Sequence, residues 1–280
     1  MRRSPRDKAQ VITDGLLRKW RLPKPAQEGS KEQRGRVLVI AGAAEMPGAA
    51  ILASTAGLRA GAGKVRVATA HAAAFPVATA VPELFVQSIA EGAERERSLR
   101  AVLESARNTN AVLIGSGMRD AEAIRFLIPE LLRIDSLGAL VVDATAIPIA
   151  VEFLHRHRKS RGHTILTPHQ GEMGKLGSAA EAAARFASVV VAKSAETLIC
   201  AEDGRTYLNK RGNVGLATAG SGDVLAGIMA ALCARGAEPL QAAVWAVSIH
   251  ARAGERLAKR IGPMGYLARD LLDEIPRLAS

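Results

Sequence analysis

The fold of this chain can be read outward from residues 212–235, which run G-N-V-G-L-A-T-A-G-S-G-D-V-L-A-G-I-M-A-A-L-C-A-R. The stretch begins as a loop punctuated by glycines and becomes apolar at helical spacing from about Ser221 onward, so it predicts a loop that runs into a buried helix. The first N–H groups of such a helix, and the positive end of its dipole, point out of the loop. That arrangement binds anions, phosphates above all, so we expect an anion site at residues 220–223.

Asp223 lies at this junction of loop and helix. Aspartate is a favoured N-cap residue, so residue type alone leaves open that Asp223 only caps the helix. A carboxylate beside a phosphate would repel it, unless the carboxylate acts on a proton or on Mg²⁺. The residues on either side of Asp223 favour the second interpretation.

The string A-G-S-G-D-V-L-A-G at residues 219–227 resembles the G-x-G-D signature of the ribokinase-like superfamily. The preceding loop, N-V-G-L-A-T, resembles that of one branch, the ADP-dependent NAD(P)H-hydrate dehydratases. The resemblance implies that Asp223 is the base that deprotonates the phosphate acceptor. It also implies that the amides of Gly220, Ser221 and Gly222 form the anion hole, and that Gly222 contacts nucleotide phosphate. ADP or ATP would be the phosphoryl donor, assisted by Mg²⁺.

The rest of the chain alternates short β-branched runs with helical segments, which predicts an α/β fold with a doubly wound, mostly parallel sheet flanked by helices. The resemblance makes this sheet ribokinase-like. Hydrophobic residues make up 48% of the 280 residues but aromatic residues only 3%, so the core must consist of Ala, Val, Leu and Ile. We expect strands at 36–42, 64–69, 111–115, 139–143, 164–167, 188–193 and 197–201, a hairpin turn at 202–204, and helices at 49–60, 120–133 and 240–261.

Two segments are predicted: a basic N-terminal extension, residues 1–35, and one dehydratase-like domain, residues 36–280. The net charge is +11, and residues 1–36 alone contribute +7 of it. The extension has neither interleaved aromatic residues nor a helix-turn-helix string, so nucleic acid is not expected as a partner. We expect the extension to drape over the domain or to be partly disordered, with no room ahead of residue 36 for the epimerase domain of bifunctional relatives.

Localisation and assembly follow from composition and from the resemblance. No apolar run reaches the roughly 20 residues of a membrane span, and no apolar segment follows the basic N-terminus as in a signal peptide. Cys200 and Cys233 lie far apart and outside any C-x-x-C spacing, which is typical of reduced core residues in a cytoplasmic protein. The resemblance implies a homo-oligomer, a tetramer, with no membrane partner.

On the substrate side, the loop G-A-A-E-M-P-G at residues 42–48 has neither G-x-G-x-x-G spacing nor a following G-K-[ST], so it is not a dinucleotide fingerprint or a Walker A loop. The resemblance places Ala49 and Ala50 against the nicotinamide end of the substrate. Gly117 would let the substrate approach the backbone, in a G-S-G-M string where the family has proline in place of Ser116. The resemblance also places His169, in L-T-P-H-Q-G-E-M, in contact with substrate, together with Asp223. The alternative is that His169 is a solvated loop histidine without a functional role.

On the nucleotide side, K-S-A-E-T resembles the family's K-G-x-x-T turn, which cradles the AMP part of the nucleotide. The resemblance therefore assigns nucleotide binding to Lys193, Ser194, Ala195, Glu196 and Thr197, together with Gly222. The chain departs from the family at Ser194, which replaces a glycine. It departs again at Thr145, which replaces the second acid of D-A-D-A-L, and the 173–192 segment is shorter than in typical members.

The resemblance implies a dehydratase that uses ADP or ATP to restore NAD(P)H from its hydrate, by phosphorylating the ring hydroxyl and eliminating phosphate. One alternative is a small-molecule kinase of the thiazole or pyridoxal type, which would use Asp223 in the same way. Another is a nucleotide-binding regulator with impaired catalysis, an alternative that the changes at Ser116, Thr145 and Ser194 favour. No protein residues are predicted as dedicated metal ligands.

Overall fold

The computed structural model describes residues 5–23, 34–155 and 163–279. Its strands are β1 (Gln10–Val11), β2 (Arg36–Ile40), β3 (Lys64–Ala70), β4 (Phe85–Ile89), β5 (Ala111–Ile114), β6 (Ala139–Val142), β7 (Thr164–Leu166), β8 (Val189–Ala192), β9 (Thr197–Cys200) and β10 (Thr206–Asn209). Its helices are α1 (Asp14–Lys19), α2 (Pro47–Arg59), α3 (His71–Ala80), α4 (Arg95–Arg107), α5 (Ala121–Leu131), α6 (Ile147–Leu154), α7 (Gln170–Met173), α8 (Ala179–Phe186), α9 (Ser221–Ala234), α10 (Pro239–Arg260) and α11 (Ala268–Leu278).

All ten strands form one sheet in the order β1-β10-β9-β8-β7-β6-β5-β2-β3-β4. In this order, all neighbouring strands between β8 and β4 pair in parallel, including β2 and β3. Strand β9 runs antiparallel to both β8 and β10. The predicted mostly parallel, doubly wound sheet is therefore confirmed. Because parallel strands share one carboxyl edge, the segments that follow β2, β5, β6 and β7 meet there.

Every strand and helix predicted from the sequence is present, with ends that differ by one or two residues. The predicted turn at 202–204 joins β9 to β10 as a hairpin, and the Gly204 N–H donates to the carbonyl of Ala201. The sequence analysis missed α3, β4 and α4 between β3 and β5, and it did not predict β1, α1, α6, α7 or α11. It also missed the α8 helix, whose start is fixed by a capping box between Ser178 and Glu181.

Helices cover both faces of the sheet and close two apolar layers. The residues of α2, α9, α10 and α11 form one layer with Val37 and Val39, and those of α4, α5, α6 and α8 form the other with Leu38 and Ile40. The small residues of the core allow very close packing between helices. A Cβ at Gly227 of α9 would lie 2.1 Å from the carbonyl oxygen of Ala53 in α2, so only glycine fits there. This contact fixes the position of α9.

The N-terminal residues 5–23 pack on the domain. β1 extends the sheet beside β10, and Ile12 and Leu17 are buried in the core. The indole of Trp245 on α10 donates to the carbonyl of Trp20 over 2.7 Å. The remaining part of the predicted extension, residues 1–4 and 24–33, lies outside the described residues, and the domain boundary at residue 36 stays a prediction.

Both cysteines of the chain lie within the described residues. Cys200 and Cys233 are both buried free thiols, as expected for reduced core residues. Among the helices of residues 5–23, 34–155 and 163–279, none combines the length and the apolar character needed to cross a membrane.

Candidate active site

The predicted anion site lies at the N-terminus of α9. Gly220 is the N-cap residue, with φ +88°, and a Cβ at this position would lie 2.4 Å from Leu52, so glycine is required. Asp223 stands in the first turn of the helix and is not the cap. Capping therefore does not explain why an aspartate occupies position 223.

A buried polar cluster centred on Asp143 lies at the carboxyl edge of the sheet beside Asp223. Asp143 follows β6 and is 2% exposed. Its carboxylate accepts hydrogen bonds from Ser116 Oγ at 2.9 Å and from Thr167 Oγ1 at 2.5 Å. Lys193 Nζ completes the set, 2.9 Å from Asp143 Oδ1. Three neighbouring strand ends thus supply the donors that a buried carboxylate needs.

The same cluster sets the proton affinity of Asp223. Burial raises the pKa of Asp223 to about 6, and the negative charge of Asp143 adds to the rise. The Lys193 ammonium opposes it, and so does the Ser116 hydroxyl, whose single proton can be donated either to Asp143 or to Asp223. A carboxylate with a pKa near 6 is ionised at neutral pH and has a higher proton affinity than an exposed aspartate, as a general base requires.

A cavity of about 770 Å³ opens in front of α9. It is large enough for a nucleotide, since ligand pockets span roughly 300–1,000 Å³. Lys193 brings positive charge to the cavity, and the Lys193 Nζ lies 3.5 Å from where a Cβ of Gly222 would be. The lining residues are His169, Lys193, Ser194, Ala195, Thr197, Asn209, Arg211, Gly212, Asn213, Val214, Leu216, Ala217, Thr218, Ser221, Gly222, Leu225, Val247, His250 and Ala251.

Two asparagines in this wall each carry a buried atom without a hydrogen-bond partner among the described residues: Oδ1 of Asn209 and Nδ2 of Asn213. Their other amide atoms are held, since Asn209 Nδ2 donates to the carbonyl of Arg211 and Asn213 Oδ1 accepts from the Tyr266 hydroxyl. An unpartnered buried polar atom is costly unless a ligand or water satisfies it. These two buried atoms belong to residues of the cavity wall that the sequence analysis did not single out.

Ser221 lines the cavity at the start of α9. Its amide donates to the carbonyl of Thr218 at 3.2 Å, within the turn that precedes α9. Its hydroxyl lies 2.8 Å from Nε2 of His250 on α10. Burial is the main cause that lowers the pKa of His250 to about 4; the hydrogen bond with Ser221 opposes this shift and the nearby Lys193 ammonium contributes to it, so the imidazole is neutral at physiological pH. The sequence analysis missed His250, whose only signal was a lone histidine in the apolar stripe of α10.

A second cavity, of about 440 Å³, lies at the carboxyl ends of β2, β3 and β4. Gly42 and Met118 line it, next to the residues predicted to bind substrate. The structure brings those residues together: a Cβ at Gly117 would lie 2.4 Å from Ala49, at φ +65°. Ala50 is fully buried, and its methyl group packs beneath Gly42 rather than in the cavity.

His169 caps α7. Its Nδ1 accepts from the amides of Gly171 and Glu172, at 2.9 and 3.3 Å, and its own amide donates to the Glu172 carboxylate. Because Nδ1 is an acceptor, the proton of the neutral ring is on Nε2. The imidazole is more than half exposed and lines the large cavity together with Lys193, Ser194 and Gly222. The structure thus places the predicted substrate residue His169 beside the predicted nucleotide residues.

Two departures from the family pattern, Ser194 and Thr145, form side-chain hydrogen bonds. The Ser194 hydroxyl donates to the carbonyl of Glu196 at 2.6 Å and closes the predicted nucleotide turn. The Thr145 hydroxyl lies 3.0 Å from the carbonyl of Gly115 and 3.1 Å from that of Met118, and it can donate to either. Thr145 thereby ties the segment after β6 to the G-S-G-M loop.

A resident metal site is not formed by protein side chains in the described ranges, where no three His, Cys, Asp or Glu residues come together. Both Asp143 oxygens already accept hydrogen bonds, so Asp143 is a poor metal ligand. Mg²⁺ commonly keeps several waters and binds through nucleotide phosphates with one or two carboxylates. The residues fit a cation that arrives with a nucleotide.

Comparison with known proteins decides which family this site belongs to. A family model for NAD(P)H-hydrate dehydratase matches residues 37–277. The chain is 39% identical to the ADP-dependent (S)-NAD(P)H-hydrate dehydratase of Xanthomonas campestris, over 96% of both chains. This chain belongs to the NAD(P)H-hydrate dehydratase family. It also matches curated bifunctional NAD(P)H-hydrate repair enzymes and spans about half of their length.

Solved structures of similar proteins confirm the ribokinase-like fold of this family member. A ribokinase-like superfamily protein from Enterococcus faecalis superposes with a TM-score of 0.83 at 26% identity, over 97% of this chain and 95% of that one. The ADP/ATP-dependent NAD(P)H-hydrate dehydratase of Bacillus subtilis, co-crystallised with ATP and Mg²⁺, superposes with a TM-score of 0.78 at 26% identity, over 97% and 98%. The family pattern thus extends from the sequence motifs to the whole fold.

Proposed function

We propose that this protein uses ADP or ATP to dehydrate the hydrates of NADH and NADPH and thereby restores the reduced dinucleotides. The observation that carries the proposal is the buried carboxylate of Asp223 in the first turn of α9, beside a cavity of about 770 Å³ that Lys193 and Gly222 line. A base and a phosphoryl site therefore lie side by side. Family membership supplies the substrate and the donor.

The chemistry needs a base, because the hydroxyl beside the ring nitrogen is a poor leaving group. Asp223 takes the hydroxyl proton while the terminal phosphoryl group of the nucleotide passes to that oxygen. The ring nitrogen lone pair then expels phosphate with cleavage of the C–O bond, and loss of a proton from the neighbouring carbon restores the double bond. The products are NAD(P)H, inorganic phosphate, and AMP from ADP or ADP from ATP.

Charge in the site is distributed for this transfer. The Lys193 ammonium and the N-terminus of α9 stabilise the transferred phosphoryl group. Mg²⁺, bound with the nucleotide, supplies further neutralisation of phosphate charge. Residues 193–197 and Gly222 hold the nucleotide, and Gly117 with Ala49 offers a close backbone surface for the substrate beside the smaller cavity.

One assay tests this function. Hydrated NADH or NADPH is mixed with the protein, Mg²⁺ and ADP or ATP, and the absorbance of the restored reduced dinucleotide is followed. A small-molecule kinase would consume nucleotide with a thiazole or pyridoxal acceptor and leave the hydrate unchanged. A regulator without catalysis would bind nucleotide but give neither product, and either result would refute the proposal.

We extend the proposal to assembly and location. Phe75 on α3 and Phe85 on the edge strand β4 are 81% and 57% exposed, and each is an apolar side chain available for contact with a second copy of the chain. We propose that the protein is a homo-oligomer, a tetramer, and that it is located in the cytoplasm with its cysteines reduced. Light scattering measures the mass of the assembly in solution, and the mass of a monomer would refute the proposed oligomer. Phe75→Glu should lower the measured mass.

A further inference from the structure

We propose that His250 is a positioning residue that aims the hydroxyl of Ser221 at the phosphoryl group in the active site. His250 lies on α10 and Ser221 at the start of α9, and His250 Nε2 lies 2.8 Å from Ser221 Oγ. Both residues line the large cavity beside Lys193. The inference rests on the proposed phosphoryl transfer and adds a donor to it.

The backbone geometry makes the hydroxyl the group that matters at Ser221. The amide of Ser221 donates to Thr218 within the turn and is already used. Ser221 is 4% exposed, so its hydroxyl faces few groups besides His250 and the cavity. A side-chain donor can therefore serve the anion site where the Ser221 amide does not.

The direction of the hydrogen bond follows from counting protons. A serine hydroxyl has one proton and two lone pairs. A phosphoryl oxygen only accepts, so it must take the Ser221 proton, and the Ser221 oxygen must then accept from His250. A neutral imidazole protonated on Nε2 provides that donor, and burial together with the Lys193 ammonium keeps His250 neutral. His250 therefore acts on the phosphoryl group through Ser221 and does not touch it.

A double-mutant cycle measured on the full chain tests this coupling. Loss of a single preorganised donor to a developing charge costs about 10²–10³ in rate, so Ser221→Ala should lower kcat by about 100-fold. His250→Leu should lower kcat by a similar factor with little change in the KM of the hydrate. In the Ser221→Ala background, His250→Leu should have almost no further effect, because its partner is gone. His250→Gln retains an N–H donor and should recover most of the activity.

A matched control is His163→Leu. His163 lies just ahead of β7, at the opposite edge of the sheet from the cavity, and Nδ1 of its exposed ring lies 3.0 Å from the carbonyl of Gly138. The kcat of His163→Leu should equal that of the unmodified protein. The melting temperatures of all variants distinguish a loss of folding from a loss of the hydrogen bond. If His250→Leu does not fold, His250→Gln and Ser221→Ala still test the role of His250.

Equal losses from His250→Leu in the unmodified and the Ser221→Ala backgrounds would overturn the coupling, as would full kcat in His250→Leu. A second readout needs no turnover: inorganic phosphate should raise the melting temperature of the unmodified protein more than that of Ser221→Ala or His250→Leu. Equal phosphate stabilisation in all of them would also overturn it. If the unmodified protein restores no NADH, the proposed function fails, while the phosphate measurement still decides on His250.

Discussion

Lys193 Nζ lies 2.9 Å from Asp143 Oδ1, in a pair whose carboxylate side chain is 3% exposed and whose lysine side chain is 22% exposed. The lysine belongs to the turn after β8 and the aspartate to the turn after β6, so the pair bridges across β7 at the carboxyl edge of the sheet. Its charges act on Asp223 in opposite directions. The ion pair therefore connects the stability of the fold to the proton affinity of the proposed base.

Replacement of Asp223 by asparagine tests the proposed base. Asparagine has nearly the same shape but cannot accept the proton, and general-base loss typically costs about 10²–10⁴ in rate. We expect turnover of the hydrate to fall by at least about 100-fold, while ADP binding is retained, as measured by calorimetry. Turnover above roughly a tenth of the unmodified rate at saturating substrate would exclude Asp223 as the base.

The same variant should be more stable than the unmodified protein at neutral pH. The pKa of Asp223 is raised in the folded state to about 6, so folding holds a proton that the unfolded chain has released. The free energy of unfolding therefore falls as pH rises from about 4 to about 6, and the deficit persists above pH 6. Asp223→Asn removes a cost of up to about 3 kcal/mol at pH 7.5. Urea unfolding at pH 7.5 should show the gain, and the gain should vanish near pH 4.

Ser116 should control the acid limb of the rate profile. If Asp223 is the base, kcat/KM rises with pH through about 6 and then levels off. The Ser116 hydroxyl lowers the pKa of Asp223 when its single proton is donated there instead of to Asp143, so Ser116→Ala should move this limb to higher pH. Asp143→Asn should move it to lower pH, because a negative charge near Asp223 is removed. An unmoved limb in both variants would show that another group limits the rate.

Breaking the Asp143–Lys193 pair should destabilise the fold. Lys193→Met leaves a buried carboxylate with only its two hydroxyl donors, which should lower the free energy of unfolding by about 2–3 kcal/mol. In an Asp143→Asn background the same substitution should cost much less, because no charge is left unpaired. Lys175→Met, at an exposed lysine, is the control and should change stability little. Equal costs in both backgrounds would contradict the coupling.

His169 can be tested with its capping role held constant. Asparagine also caps helices well, so His169→Asn should keep α7 intact while it removes the imidazole. If His169 contacts the hydrate, KM for the hydrate rises in His169→Asn and the Kd for ADP does not change. A rise confined to the ADP Kd would assign His169 to the nucleotide, in line with its place in the large cavity.

The N-terminal segment should contribute to stability rather than to chemistry. Deletion of residues 1–8 leaves β1 and the buried Ile12 and Leu17 in place, and turnover should be unchanged. Deletion of residues 1–19 removes both buried side chains, each worth about 1.5–3 kcal/mol, and should lower the free energy of unfolding by several kcal/mol. Loss of turnover in a folded 1–8 deletion would overturn this division.

The sequence by itself determined the local features of this protein. Strand and helix periods, the glycine turn at residues 212–223 and the chain positions that end strands follow from patterns within a few residues, so the sheet and the place of Asp223 could be predicted. Gly220, Gly117 and Ala49 came from motif resemblance, and the structure puts Gly117 and Ala49 in contact. Of the two helices between β3 and β5 that escaped prediction, the Ala-rich α3 carries a weak apolar period, whereas α4 carries a clear one at Leu99, Val102, Leu103 and Ala106 that was overlooked.

Only the tertiary structure decided which side chains face one another. Lys193 and Asp143 are 50 residues apart, and His250 and Ser221 are 29 apart. The strand order placed the first pair together across β7, and the packing of α10 on α9 placed the second. The pKa of Asp223 depends on burial and on these long-range neighbours. Burial and charge separation are properties of the folded arrangement, because no local sequence pattern fixes the distance between groups so far apart in the chain.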